Sequence, residues 1–354
     1  MRRRMVIIRS FRAVFRCGVM HFITYFNRTD AQLHNYWNIA KVLHVVELVL
    51  VVFSHFSYML VFYLTVKTSW HKKNYRNIWG LGTIQYIPST AVRATQIVLV
   101  LTDSTVYHSD QFTTVFVWTS YVRLFCLLIV SLSLPGIVAE RSLATYFLED
   151  YERKQRAYIG YIIVGLQSTF SFIVTYTFHR DASTIPHIAV TIAVNFISVI
   201  ANTVNRRVNL RYYFESMSRK RDIRAYTLGE RYQMAENIRV CTSIARVIQS
   251  IGILNIISTL LLVVDNFDVP IVYKNLVVIG FNYSILIYGF LIALVMYRYN
   301  DEWQSEVRRI LARHRIGRMT ESSLSVKSTL GTETHVDKQM HTSLYFSMLQ
   351  KDWA

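Results

Sequence analysis

The chain has 354 residues, 52% of them hydrophobic and 14% aromatic, and a formal net charge of +17. That length holds two soluble domains or one membrane bundle, and the clustering of apolar residues into stretches of about 20 selects the bundle. The basic excess lies outside those stretches, in the loops and tails, so the partner it points to is anionic membrane lipid and not nucleic acid.

The first segment carries Arg2, Arg3, Arg4, Arg9, Arg12 and Arg16. Val6 to Met20 reads either as the apolar region of a signal peptide or, because arginines interrupt it, as part of a retained segment. Asn27-Arg28-Thr29 is a glycosylation acceptor sequence, which suits an external position. Seven apolar stretches follow: Ile39 to Val66, Ile78 to Leu101, Phe112 to Val138, Tyr158 to Phe178, Ile185 to Val204, Cys241 to Val264 and Ile271 to Met296. Each is long enough to cross a ~30 Å hydrocarbon core as a helix, the one open structure that satisfies its own backbone amides in lipid. The fold class is therefore an all-α seven-transmembrane bundle.

Loop charge alternates. The first loop holds Lys67, Lys72, Lys73 and Arg76, the third Arg141, Arg153, Lys154 and Arg156, and the fifth a run from Arg206 to Arg239. The second loop offers Asp103 and Asp110, the fourth only Arg180, and the sixth Asp265 and Asp268 before Lys274. Positive charge stays in the cytoplasm, so the amino terminus is expected outside and the carboxyl terminus inside. The early arginines oppose this, but most lie more than about 20 residues from Ile39, beyond the reach of the rule. The chain divides into an extracellular segment 1–38, the bundle 39–296, an amphipathic helix 297–316 and a disordered cytoplasmic tail 317–354. Trp303, Val307, Ile310 and Leu311 fall at helical spacing among arginines, either as an interfacial eighth helix or as a solvated one. The tail is rich in phosphate acceptors, among them Ser322, Ser323, Ser325, Ser328 and Thr329. Cys17, Cys126 and Cys241 are not placed to cross-link external loops, so no structural disulfide is expected.

Two motifs stand at the basic loops. The third span ends in Glu140-Arg141-Ser142-Leu143-Ala144-Thr145, followed by Asp150-Tyr151-Glu152. Before the sixth comes Arg231-Tyr232-Gln233-Met234-Ala235-Glu236-Asn237-Ile238-Arg239. These resemble the ERxxAT, DYE and RYQxxENIR signatures of the nematode serpentine receptor class epsilon chemoreceptors, and with the His71 to Arg93 region the resemblance covers roughly residues 40 to 300. It implies a multi-pass plasma-membrane receptor of sensory neurons, possessing no cofactor, that detects an unknown small-molecule ligand and signals through a heterotrimeric G protein; sensory cilia are the expected site. Rhodopsin-like hallmarks are missing: the seventh span has Phe281-Asn282-Tyr283-Ser284 in place of NPxxY, and the sixth has no Trp-x-Pro.

Polar residues within the spans nominate sites. Glu140 and Arg141, with Glu236 and Arg239 at the facing end of the sixth span, form a candidate coupling switch, the alternative being an arginine that snorkels to lipid phosphate. His44, Glu47, Arg93 and Arg123 fall in the middle to outer half of the first three spans, where each charge needs a partner or a hydrated cavity. A pair between Glu47 and either Arg93 or Arg123 would neutralise the interior, as a structural link or as a ligand pocket shared with Asn282 and Tyr283. Asn255, Tyr283 and Tyr288 suit interhelical hydrogen bonds, and Arg246 lies low enough to snorkel. The rival class is a ligand-gated channel or transporter. A seven-span channel with an internal amino terminus would put the basic loops outside, and Pro88 and Pro135 have no counterpart in the later spans, as the paired repeats of a transporter would require. No hydrolase, phosphate-loop or metal-spaced motif suggests an enzyme.

Overall fold

A computed structural model describes residues 25–67, 73–102, 110–147, 157–180, 183–217, 228–299, 301–314, 326–327 and 333–334. The basic start with Val6 to Met20 and Cys17, the acidic Asp103 and Asp150-Tyr151-Glu152, and the tail acceptors Ser322, Ser323, Ser325, Ser328 and Thr329 lie outside the described residues, as do the side chains of Arg231 and Asn255.

After a short α1 (Arg28–Leu33), the first span is α2 (Trp37–Lys67). The second is α3 (Lys73–Ile84) with α4 (Tyr86–Leu101), and the third α5 (Asp110–Ser131) with α6 (Ser133–Tyr146). Then come α7 (Ala157–Phe178), α8 (Ile185–Met217), α9 (Leu228–Val263), α10 (Ile271–Tyr299) and α11 (Asp301–His314). Among the described residues, five stretches are long and apolar enough to cross a membrane on length and composition: Trp37–Lys67, Val115–Tyr146, Tyr158–Phe178, Ile185–Glu215 and Ile271–Arg298. The second span, divided at Gln85, and the sixth, α9, complete the bundle.

The distribution of polarity is that of a helix set in lipid. Along α2, Ile39, Val49, Phe53 and Phe56 are exposed while His44, Glu47 and Ser54 are buried. Water would reverse that preference; hydrocarbon enforces it, since polar atoms find partners only among neighbouring helices.

Both divided spans break for one reason. A proline lacks the amide that would bond the carbonyl four residues back, and its ring crowds that carbonyl. Pro88 and Pro135 act on Ile84 and Ser131, which are the last residues of α3 and α5. The ladder resumes at once through Ser89 N to Gln85 O (3.2 Å) and Gly136 N to Leu132 O (3.1 Å), so each site is a kink within a continuing helix. Gln167 of α7 donates to Ile129 O at 2.6 Å beside the second kink. Gly136 lets α3 and α7 close on α6: a Cβ there would meet Ile163 and Gln167 at 3.2 Å and Ile78 at 3.3 Å.

Several boundaries differ from the sequence expectation, the second span beginning at Lys73 before Ile78 and the third running past Val138 to Tyr146. The α8 and α9 helices run well past Val204 and begin well before Cys241, because hydropathy marks only the lipid-embedded length while hydrogen bonds between the two helices carry them further. The amphipathic helix starts at Asp301 and not at residue 297, the intervening residues continuing α10. Its Trp303 is buried against Val61, Leu64 and Met296, docking α11 to the bundle. In the tail, expected to lack order, β1 (Val326–Lys327) pairs antiparallel with β2 (Glu333–Thr334); a ladder that short has no stability of its own.

The contacts at Gly136 give a direct test. Gly136→Leu should destabilise the folded protein by ~1 to 3 kcal/mol through overpacking, whereas Gly165→Leu, on the same layer with nothing within 4 Å of its Cβ, should be tolerated. Thermal unfolding of the two purified variants checks the difference.

Candidate functional site

Two polar clusters and a cavity between them occupy the interior. In the central cluster, Arg93 of α4 grips Glu47 of α2 with two parallel hydrogen bonds, Nε to Oε1 at 2.6 Å and Nη2 to Oε2 at 2.8 Å. His44, one turn from Glu47, meets the same carboxylate through Nδ1 at 3.1 Å. Of the two arginines open as partners on the sequence, the structure selects Arg93. Arg123 of α5 instead donates to amide oxygens, Gln96 Oε1 at 3.2 Å and Asn282 Oδ1, and Asn282 is fixed in turn by its Nδ2 bond to Val278 O at 2.7 Å. Tyr283 sits at the margin, donating to Leu43 O at 2.7 Å. The six candidate ligand residues are thus gathered on four helices, but the space they leave is only about 20 Å³.

The open volume lies elsewhere. A cavity of about 440 Å³ sits beyond the stacked rings of Tyr58 and Tyr86, whose centroids are 4.0 Å apart. Those two tyrosines line both spaces. The larger one is lined by Ile137, Phe196, Ile244 and Ile292, with Trp79 and Trp303, and carries Asn195 and Tyr288 as polar points. Sequence reasoning missed it because its walls are ordinary apolar residues; the one available signal was the pair of prolines, whose kinks spread the helices at this level.

The opposite mouth of the central cluster is covered. Phe26 is buried and packs edge-on against His44 at 4.9 Å, and Tyr25 meets Phe116 at 5.6 Å. Asn27 caps α1 by accepting from Asp30 N at 3.0 Å and exchanges two bonds with Asn275 of α10. Arg28 donates to the carbonyls ending α4, including Thr102 O, and stacks over Trp37. Tyr36 donates to Asp30 Oδ2 at 2.6 Å; burial, reinforced by that carboxylate, pushes the Tyr36 hydroxyl up to about 12, so the link is intact throughout the neutral range and is lost only as pH rises from ~10 to about 12. Residues 25–36 form a lid tied to the first, second and seventh spans.

At the far end, Arg141 is only 1% exposed. It pairs with adjacent Glu140 through both carboxylate oxygens and reaches α9 at Asn237 Oδ1, 3.0 Å away. Glu236, next to Asn237 in the chain, is buried and Arg239 is exposed; the hydrogen-bonded link between the helices is made by Asn237. A burial this deep excludes an arginine that simply snorkels to lipid. Asn237 also donates to Thr145 and to Asn209 of α8, each at 3.2 Å, Asn209 donates to Thr145 at 2.8 Å, and Asn205 donates to Ser142 at 2.7 Å. Gln233 and Asn202 extend the network. The legible signal was Asn202, Asn205 and Asn209 at helical spacing in α8, matched by Gln233 and Asn237 four apart in α9. Cys126 and Cys241 are both buried free thiols.

The bidentate pair makes a specific prediction about folding. Removing one member of a buried ion pair typically costs ~3 to 5 kcal/mol, whereas neutralising both is close to neutral. Glu47→Gln should therefore depress surface delivery strongly, Glu47→Gln with Arg93→Gln should restore it, and Glu47→Gln with Arg123→Gln should not, as measured by cell-surface staining of a tagged receptor.

Comparison with known proteins agrees with this architecture. The family model described as Sre G protein-coupled chemoreceptor matches residues 19–354, extending the resemblance well beyond the stretch 40 to 300 that carries the motifs. Serpentine receptor class epsilon-13 of Caenorhabditis elegans is 27% identical over 348 residues, 94% of this chain and 96% of its own length. Serpentine receptor class epsilon-8 of the same organism is 26% identical over 339 residues, 94% of this chain and 97% of its own. Similarity that runs through all seven spans and the tail makes this a multi-pass membrane receptor, and the chain belongs to the Sre family of G protein-coupled chemoreceptors.

Proposed function

We propose that the chain sits in the plasma membrane of a chemosensory cell with the lid outside and α11 inside, takes a small molecule into the bundle, and couples to a G protein at the Arg141 end. The orientation rests on the loop charges: Lys67, Arg76, Arg206, Arg207 and Arg211 share the Arg141 end, whereas the described connections between spans at the other end carry Arg180 and Lys274, and the early arginines lie too far from the first span for the rule to count them. Asn27 is the expected glycan acceptor, its cap using Oδ1 and leaving Nδ2 for attachment.

The observation that carries the coupling proposal is the Arg141 to Asn237 hydrogen bond. It joins α6 to α9 at the end where a G protein docks, and its donor is a charge paired to its own neighbour, Glu140. Such a link holds one of two helix arrangements: parting α9 from α6 breaks the bond and uncovers the ion pair and the polar faces of α8 and α9. Glu236 and Arg239, on the same turns of α9, move with it.

Glu140→Gln combined with Arg141→Ala, which strands no buried charge, should leave surface expression roughly intact yet abolish G-protein activation by any agonist, while Asn237→Leu, which removes the Arg141 bond together with those to Thr145, Asn209 and Gln233, should raise agonist-free activation by at least about tenfold. A ligand screen in cells expressing the chain, recording G-protein activation and membrane current together, separates receptor from channel. A tag before Ile39 should stain on intact cells and a tag after Arg318 only after permeabilisation; the reverse pattern would overturn the orientation.

A further inference from the structure

The central cluster holds more positive charge than its carboxylate can match. Among the described residues, Glu47 is the one carboxylate lining the ~20 Å³ cavity, and Arg93 engages both its oxygens. Arg123, 3% exposed, is left with neutral amide partners, and its Nε donates to nothing. Arg93 and Arg123 line this one small cavity together. Ser54, on the same wall, is buried with its hydroxyl unpartnered. Two cations, one anion and the unpartnered Arg123 Nε and Ser54 and Tyr58 hydroxyls around one small space in low dielectric are the complement of a bound negative group.

We propose that this cavity is an anion site: Arg123 Nε and the Ser54 hydroxyl donate to a singly charged anion, either a free halide or the carboxylate of an amphiphilic acid. The volume fits about one water-sized atom group, and the surplus is one charge, so a divalent oxyanion is too large and too highly charged. The carboxylate source is structurally open because Tyr58 and Tyr86 line both this cavity and the 440 Å³ apolar one, where an acyl or aromatic body has room. This deepens the ligand-site proposal above, but its readout is stability, which moves whether or not the protein activates a G protein.

The test is thermal unfolding of the purified full-length receptor at constant ionic strength. Chloride replacing gluconate, or octanoate replacing octanol at equal concentration, should raise the midpoint by about 3 °C at ~10 times the dissociation constant. A chloride response assigns the site to a free halide, and an octanoate response without one assigns it to a ligand carboxylate. No response to either would overturn the proposal. Gln96→Glu supplies a control that does not depend on losing structure, since Thr119 and Ser120 beside it can donate as well as accept. A carboxylate there pairs with Arg123 from within, so the midpoint in gluconate should rise and the anion response should vanish. A Gln96→Glu protein that keeps the full response would place the anion elsewhere and sink the proposal, as would a folded Arg123→Gln protein that keeps it.

Discussion

Every feature of this bundle depends on the absence of water as a partner for its interior polar groups. On α2, hydrocarbon receives Val49 and Phe53 without penalty, whereas Glu47 and His44 must turn inward and find partners on other helices. That demand fixes rotation and depth together. Once Arg93 grips Glu47 with two bonds, the first and second spans are locked in register, and Arg123 can reach Gln96 and Asn282 only if the third and seventh spans stand at the same height. Nonspecific apolar packing gives no such register, because a leucine is as well satisfied by lipid as by another leucine.

The same constraint explains what the sequence revealed and what it withheld. The span count, the identity of the buried charges and the ends at which Arg141 and Asn27 lie were legible, since hydropathy and charge report directly on solvent. Partner choice was not. Arg93 and Arg123 both fell at plausible depth for Glu47, and helix rotation, which periodicity in an all-apolar segment barely encodes, decided between them. Asn237 stayed hidden beside Glu236 and Arg239 for a related reason: attention goes to charges, yet an amide that both donates and accepts is the better joint among Arg141, Thr145 and Asn209. The large cavity was illegible because nothing in its wall departs from a typical apolar helix face except the prolines that shape it.

The two clusters differ in construction. The central one concentrates charge, with a bidentate pair whose separation would strand both ions, so it resists rearrangement. The Arg141 cluster has its ion pair on one helix, Glu140 beside Arg141, and its hydrogen bonds from α6 to α8 and α9 run to the side-chain amides of Asn237, Asn209 and Asn205. Each such bond is worth about 1 kcal/mol net, more when an ion takes part, and parting the helices leaves the ion pair whole. A bundle built this way is stiff at its centre and separable at one end.

Between them lie the kinks at Gln85 and Leu132. The 440 Å³ cavity is lined from both sides of each: Gly82 and Thr83 before the first and Tyr86 after it, Val130 and Ser131 before the second and Ser133 and Leu134 after it. A kink that lacks one backbone bond is the softest point of a helix, and a body filling the cavity presses on both of them at once. The segments on the central side are held by Arg93 and Arg123, so the strain relaxes through the other side. For the third span that is α6, which carries Arg141. On the proposed function, a ligand in the apolar cavity would act on the Asn237 bond through one helix segment and one hinge, with no need for the charged cluster to break.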